Sequence, residues 1–322
     1  MQLIVIYIFA NICNKNIKNY DITLGGFYMT SSMAGLNLWL SEKLSEGEEY
    51  KYLITNTIYQ NATAHHNISF VELENRGIAY VLDNKLQFTS SDEFMFYEPL
   101  VHVPLIHAQN VSHVLILGYG CGASLREVLK WKSVKSITLV ESDKDLLEAG
   151  IKNLKSIHND THTNQKVNII LQDIEVFLQC EESKYNVIIC DISAFYREKK
   201  DKNKLNKSFF TKCHSLLKDN GVLSVQVSDV KITKDIQLFD NVKLLKSIFK
   251  TAKIYSTWIP SICKNLSFLI LGKSKRYQKF VKGEIEIILK EELLEELKFI
   301  NANSYIGLMN PPKYLQDYEI AS

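Results

Sequence analysis

The sequence predicts an α/β protein, a doubly wound and mostly parallel sheet preceded by a small antiparallel β domain. Three observations carry this. Val114–Leu117 is a short apolar run without polar alternation, the pattern of a strand covered on both faces, and Ile137–Val140 and Tyr185–Cys190 read as further buried strands. Helical stretches separate them, as in βαβ units. Between Leu38 and Phe88, by contrast, no ten-residue helical period occurs, and the runs are rich in β-branched and aromatic residues.

In the N-terminal part, Tyr50–Tyr59, Ile68–Leu73 and Gly77–Leu82 read as strands, and Asp83-Asn84 turns the chain back into Leu86–Phe88 as a hairpin. Residues 37–90 are thus expected to form the β domain, and 91–322 the α/β domain. Residues 1–36 are expected to be a disordered extension or a mis-started segment. The first twelve residues look like a signal-peptide core, but no Lys or Arg precedes them and a polar run follows at once. Met29 or Met33 is the alternative beginning.

Ser90 and Ser91 precede a helix running to about Ala108, which Pro99 and Pro104 should kink or break. Beyond it lie the strand at 114, a glycine-rich turn, a helix starting near Ser124 and the strand at 137. Ser142 or Asp143 caps a helix through Leu154, and Val167–Leu171 is the next strand. Ile174–Cys180 is helical, then comes the strand at 185, then a helix from Ser208 to Leu217 closed by a C-cap and turn at Lys218-Asp-Asn-Gly221. Val222–Val227 is a strand. Residues 235–249 carry apolar residues at 238, 242, 245 and 249, one helical face. Ile254–Trp258 and Leu266–Leu271 follow with no helix between them, so this pair is antiparallel.

The net charge of +2 carries no message about nucleic acid, and no segment is suited to a membrane. The six cysteines form no CxxC and no metal-ligand spacing, so no metal is expected, and a reduced cytoplasmic setting fits them.

The chemistry is expected at the carboxyl ends of the strands, where open α/β sheets bind ligands. Gly118, Gly120 and Gly122, spaced GxGxG, let the backbone approach a ligand closely, and Glu141 ends the next strand. A carboxylate there accepts ribose hydroxyls. The spacing favours S-adenosyl ligands over dinucleotides. Asp173, Asp191 and Gln226 stand at further strand ends. Each acid alone reads equally well as a helix N-cap. His65 and His66 point to opposite faces of a strand and make poor joint ligands. His102 and His107 read as packing residues, and Cys121 as a small pocket residue rather than a nucleophile, since no base partners it.

The run Asp92–Pro104, Val114–Gly118, Leu125–Leu129, Leu38–Glu42, Val81–Asp83, Asp219–Leu223 and Gln226 resemble the spermidine synthase (polyamine aminopropyltransferase) family, over about Leu38 to Pro312. The resemblance implies a Rossmann-like sheet of the S-adenosylmethionine-dependent transferase type. It also implies transfer of an aminopropyl group from decarboxylated S-adenosylmethionine, a co-substrate, to a small-molecule amine such as putrescine. No prosthetic group, nucleic acid or membrane is implied, and the assembly that the resemblance implies is a homodimer. Glu141 would hold the ribose and Asp173 the adenine region, within a pocket formed by Gly118, Gly120, Cys121 and Gly122. Asp191 would be the catalytic acid, and Tyr97 and Gln226 would bind the acceptor.

Several positions depart from that family. Cys121 replaces an acid that grips the aminopropyl nitrogen, and Ala194 replaces a second acid. Phe96 stands where a tyrosine is expected, with Tyr97 adjacent, and Ile262 stands in place of another tyrosine. The loop Arg197–Lys207 is strongly basic. A methyl or aminocarboxypropyl transferase using intact S-adenosylmethionine, favoured by a neutral Cys121, and a non-catalytic relative are the alternatives.

Overall fold

The structure is a computed structural model, described here for residues 21–24, 27–32, 35–108, 111–192, 206–230, 236–274 and 278–320. Among these residues no helix is long and apolar enough to cross a membrane. The chain divides into two compact units, one of residues up to 62 with 66–89, the other of 63–65 with the chain from Ser90 onward.

The first unit is a seven-stranded antiparallel meander. Its strands are β1 (Asp21–Leu24), β2 (Phe27–Ser32), β3 (Gly35–Ser45), β4 (Glu48–Ala62), β5 (Asn67–Leu73), β6 (Gly77–Leu82) and β7 (Lys85–Thr89), side by side in chain order. β1 and β2 fall within the segment taken as an extension from the sequence; β2 pairs with β3 along its length. Asp83 and Asn84 both take left-handed φ, 51° and 62°, as a two-residue hairpin turn demands. One aromatic from each of four neighbouring strands forms a ladder, Tyr59–Phe70–Tyr80–Phe88, with centroids 5.6, 5.6 and 5.4 Å apart. Such cross-strand pairs fix register.

The second unit opens with α1 (Phe94–Ala108), followed by β8 (His113–Leu117), α2 (Ala123–Leu129), β9 (Ser136–Glu141), α3 (Lys144–Asn153), α4 (Lys155–His158), β10 (Val167–Leu171), α5 (Ile174–Cys180), β11 (Tyr185–Cys190), α6 (Lys207–Leu216), β12 (Leu217–Asp229), α7 (Ile236–Ile248), β13 (Thr251–Ile259) and β14 (Lys264–Gly272). The strand order is β10-β9-β8-β11-β12-β14-β13. The first five strands are parallel and β14 runs antiparallel to both its neighbours. β8 is central and its apolar residues are wholly buried. This is the Rossmann-like sheet expected, with its antiparallel end. On one face Leu238, Val242 and Leu245 of α7, and Phe249 just beyond it, pack into the core with Leu115, Leu117 and Ile188, as their spacing predicts. Each such side chain contributes about 1.5–3 kcal/mol by leaving water.

Two features differ from the sequence expectations. α1 is one uninterrupted helix, although Pro99 and Pro104 lie inside it. Every residue from Tyr97 to Ile106 is buried, so packing on all sides holds the helix where local propensity would break it. Residues 218–221 form no left-handed cap after α6. Tyr185 pairs with Leu217 and Val187 with Val222, so the four residues between bulge out of the ladder. Gly221 is needed there because a Cβ would stand 3.0 Å from the Tyr185 carbonyl oxygen. Finally, α8 (Lys282–Glu292), α9 (Ala302–Met309) and α10 (Lys313–Ile320) follow the sheet. The buried Glu98 carboxylate of α1 anchors the segment before α9, accepting the backbone N–H groups of Lys298, Phe299 and Ile300 at 2.7, 2.8 and 2.8 Å.

Candidate active site

The strand order reverses between β8 and β11. From β8 the chain crosses to β9 on one side, while β11 leads to β12 on the other. A crevice opens at such a point, at the carboxyl ends of the two strands. Gly118 ends β8 with φ 95°, its N–H donated to Val140 O at 2.8 Å. A Cβ at Gly118 would collide with the Asp191 carbonyl oxygen and the Ile192 side chain, so only glycine lets the loop lie so close to the end of β11. The Asp191 N–H is donated to Leu117 O at 2.8 Å, which fixes the start of the segment after β11.

The loop brings four predicted residues together. The point where a Gly120 Cβ would stand is 3.2 Å from Asp191 Oδ2 and 3.4 Å from Tyr97 Oη. Cys121 is fully buried and its thiol donates to Tyr97 Oη at 3.3 Å. Burial pushes that thiol far up, so Cys121 stays neutral. Phe96, the neighbour of Tyr97, packs instead against Phe268, with centroids 5.4 Å apart. Of the adjacent pair, therefore, Tyr97 presents its hydroxyl to the glycine loop.

Asp191 is half-buried, yet its carboxyl is surrounded by protein. That desolvation pushes its pKa up to about 7, and the negative charge of Glu141 pushes the same way. Ser124 Oγ opposes them by donating to Asp191 Oδ2 at 2.8 Å. Ser124, buried in the first turn of α2, was read from the sequence only as a helix start.

Glu141 stands at the end of β9, 5% exposed. Its Oε2 accepts the Tyr119 N–H at 2.7 Å and its Oε1 the Asp143 N–H at 2.8 Å. Burial raises its pKa against these donors. The Ser142 N–H is a third backbone donor to this carboxylate, which with about four lone-pair sites still has room for a ligand hydroxyl. Asp173, two residues beyond β10, is exposed, and its Oδ1 caps α5 by accepting the Val176 N–H at 3.0 Å. Gln226 is half-buried on β12, three residues before the end of that strand, where a bulge follows its pairing with Phe268. Ala194 and most of the basic loop from Arg197 lie outside the described residues.

Behind the loop runs a buried polar network. Arg126 pairs with Glu93 at 2.9 Å and with Glu127 at 2.7 Å, and Lys130 pairs with Glu127 at 2.9 Å. His102 bonds Glu127 at 2.9 Å. The Trp131 indole N–H, which can only donate, points at His102 Nδ1 at 2.9 Å. Nδ1 is therefore an acceptor, the proton sits on Nε2 facing Glu127, and His102 is neutral. The packing role expected of His102 is thus a hydrogen-bonded one. The network ties α1, which carries Tyr97, to α2, which carries Ser124.

The parallel sheet, the glycine loop at its switch point and the strand-end carboxylates define an α/β protein of the Rossmann-like type. Residues 93–282 match the family model described as the spermine/spermidine synthase domain. The polyamine aminopropyltransferase of Sulfurisphaera tokodaii is 27% identical over 279 residues, covering 87% of this chain and 92% of that protein. That of Buchnera aphidicola is 28% identical over 265 residues, covering 82% and 91%. The crystal structure of spermidine synthase from Thermotoga maritima shares the fold, with a TM-score of 0.75 at 22% identity over 87% of this chain and 94% of that one. The chain belongs to the spermine/spermidine synthase family.

Proposed function

We propose that the protein is a polyamine aminopropyltransferase that moves the aminopropyl group of decarboxylated S-adenosylmethionine to a small amine acceptor such as putrescine. The observation that carries this is the Asp191 carboxyl, raised to about 7 and facing Tyr97 Oη across Gly120. The acceptor nitrogen attacks the methylene carbon on the sulfonium, and the carbon–sulfur bond breaks with its electron pair passing to sulfur. The sulfur leaves as a neutral thioether, and the proton shed by the acceptor nitrogen passes to the Asp191 carboxylate. An amine cannot attack while protonated, so a desolvated carboxylate that withdraws the proton is what the reaction needs. Transfer from intact S-adenosylmethionine is the less favoured reading, because the relatives that cover most of this chain are named polyamine aminopropyltransferases.

In this reading Glu141 accepts the ribose hydroxyls with its remaining lone pairs, between Tyr119 and Asp143. Gly118, Gly120, Cys121 and Gly122 line the donor, Asp173 borders the adenine end, and Tyr97 and Gln226 meet the acceptor. Cys121 replaces an ionic contact to the aminopropyl nitrogen with a neutral one. A cytoplasmic homodimer belongs to the same reading, and sedimentation equilibrium checks the dimer.

Glu141→Ala should weaken binding of the donor by one to two decades, because a charge-assisted bond is worth about 1.5–3 kcal/mol. Titration calorimetry with the decarboxylated donor measures this, and unchanged affinity would remove Glu141 from the site.

The pH dependence follows from the form of Asp191 that accepts a proton. The carboxylate predominates above its pKa, so kcat/KM should rise with pH through about 7 and level off on that limb. Ser124 favours the ionised form, so Ser124→Ala should move the limb to higher pH. A limb that stays in place in Ser124→Ala would assign it to another group.

A further inference from the structure

Between α4 and β10 the chain reads His158-Asn-Asp-Thr-His162 and makes a tight turn against the back of the glycine loop. Asn159 and Asp160 both take left-handed φ, 50° and 53°, a conformation that L side chains rarely adopt twice in succession. The result is a convergence of ligand-type atoms. One from each of His158, Asp160 and His162 lies within 4.8 Å of the others.

The protonation pattern suits a metal. The carbonyl of Ile151 accepts from His158 Nε2 at 3.0 Å, so that nitrogen carries the proton and Nδ1 presents its lone pair. A backbone carbonyl behind the imidazole is the usual support of a metal-bound histidine. The Asp160 N–H occupies Nδ1 at 3.0 Å, and Lys155 Nζ holds Asp160 Oδ2 at 2.8 Å. An ion has to displace both contacts.

Two further atoms call for a partner. His162 Nδ1 and Tyr119 Oη are buried without a hydrogen bond among the described residues. Tyr119 Oη and His158 Cβ lie 2.8 and 2.7 Å from the point where a Gly122 Cβ would stand, so the orphan phenol adjoins the turn. Leaving buried polar atoms unpaired costs about 1–3 kcal/mol each. The turn itself is braced, with Thr161 Oγ1 donating to His158 O at 2.6 Å and Thr163 Oγ1 to Asp160 O at 2.8 Å.

We infer that His158, Asp160 and His162 form a three-ligand site for one divalent transition-metal ion of the zinc class. Two imidazoles and a carboxylate suit zinc, cobalt or nickel better than magnesium or calcium, which prefer oxygen throughout. Three protein ligands leave a fourth position open. The ion would tie the two ends of the turn together and serve as a local structural brace. The assignment does not rest on the proposed transfer reaction.

The test uses the full chain after removal of metal with a chelator. Zn2+ is titrated against a chromogenic chelator, and Co2+ is followed by its visible d–d absorption. One ion per chain is expected, with His162→Ala and Asp160→Asn each weakening binding at least about tenfold. Lys155→Met should tighten it by freeing Asp160. His66→Ala, a histidine paired with Asp83 in the β unit, should leave it unchanged. Circular dichroism reports folding of each variant, and either ligand variant that folds is sufficient to decide. Absence of stoichiometric binding by the wild type overturns the inference. So does wild-type affinity in a folded ligand variant, or loss of binding in His66→Ala alone.

Discussion

Asp191→Asn is expected to lower kcat by about 10²–10⁴-fold, the range that a positioned base supplies. Asparagine keeps the shape of the carboxyl and still accepts the Ser124 hydroxyl, but it cannot take a proton from the acceptor amine. The donor should bind the variant nearly as well as the wild type, because the proposed ribose contact is assigned to Glu141. Nor should the fold suffer, since the substitution removes a desolvated carboxyl whose pKa burial has raised to about 7. Single-turnover rates with saturating donor, beside calorimetric donor affinity, separate the two effects. Loss of affinity with an unchanged rate would recast Asp191 as a binding residue.

The second large effect is on stability. Burial alone would raise the Glu127 carboxyl, but the His102 hydrogen bond and the charges of Arg126 and Lys130 outweigh it and hold the group well below the usual carboxylate range. Glu127→Gln leaves Lys130 and part of Arg126 uncompensated in the interior, and breaking a buried ionic network costs about 3–5 kcal/mol. Urea denaturation should show that loss as a lower midpoint. The exposed pair Lys144 and Glu148, at 68% and 63% side-chain exposure, is the control. Glu148→Ala should change stability by less than about 0.5 kcal/mol. A Glu127→Gln variant as stable as the control would show that the charges are solvated through a path the burial does not reveal.

Elements whose residue pattern reports burial directly were legible in the sequence. β8, β9 and β11 sit where the mainly apolar runs at 114, 137 and 185 place them, because a strand covered on both faces carries few polar residues to blur its ends. The face of α7 was legible for the same reason. α1 was misjudged because two prolines outweigh local propensity only where tertiary packing does not intervene. The turn expected at 218–221 exists as a bulge, a distinction that depends on the neighbouring strand. For the candidate site, the glycines, Glu141 and Asp191 were singled out from strand-end position, and the structure brings Gly118 and Gly120 close to Asp191. The contact of Ser124 with Asp191 and that of His102 with Glu127 were not legible, since they join residues 67 and 25 positions apart. The family resemblance included Arg126 and Glu127 as letters without their structural meaning. His158, Asp160 and His162 stood at a regular spacing, but only two left-handed residues in succession turn that spacing into a cluster.

The Glu98 anchor has a consequence for the order in which the protein is made. Glu98 follows Tyr97 on α1, but its three donors come 200 to 202 residues later in the chain. A ribosome that has already delivered every strand of the sheet therefore still leaves this carboxylate without its partners inside the helix that carries a site residue. Contacts so distant in sequence close last, after the loop between their ends has been ordered. α1 thus gains this anchor only once residues 298–300 have emerged and docked.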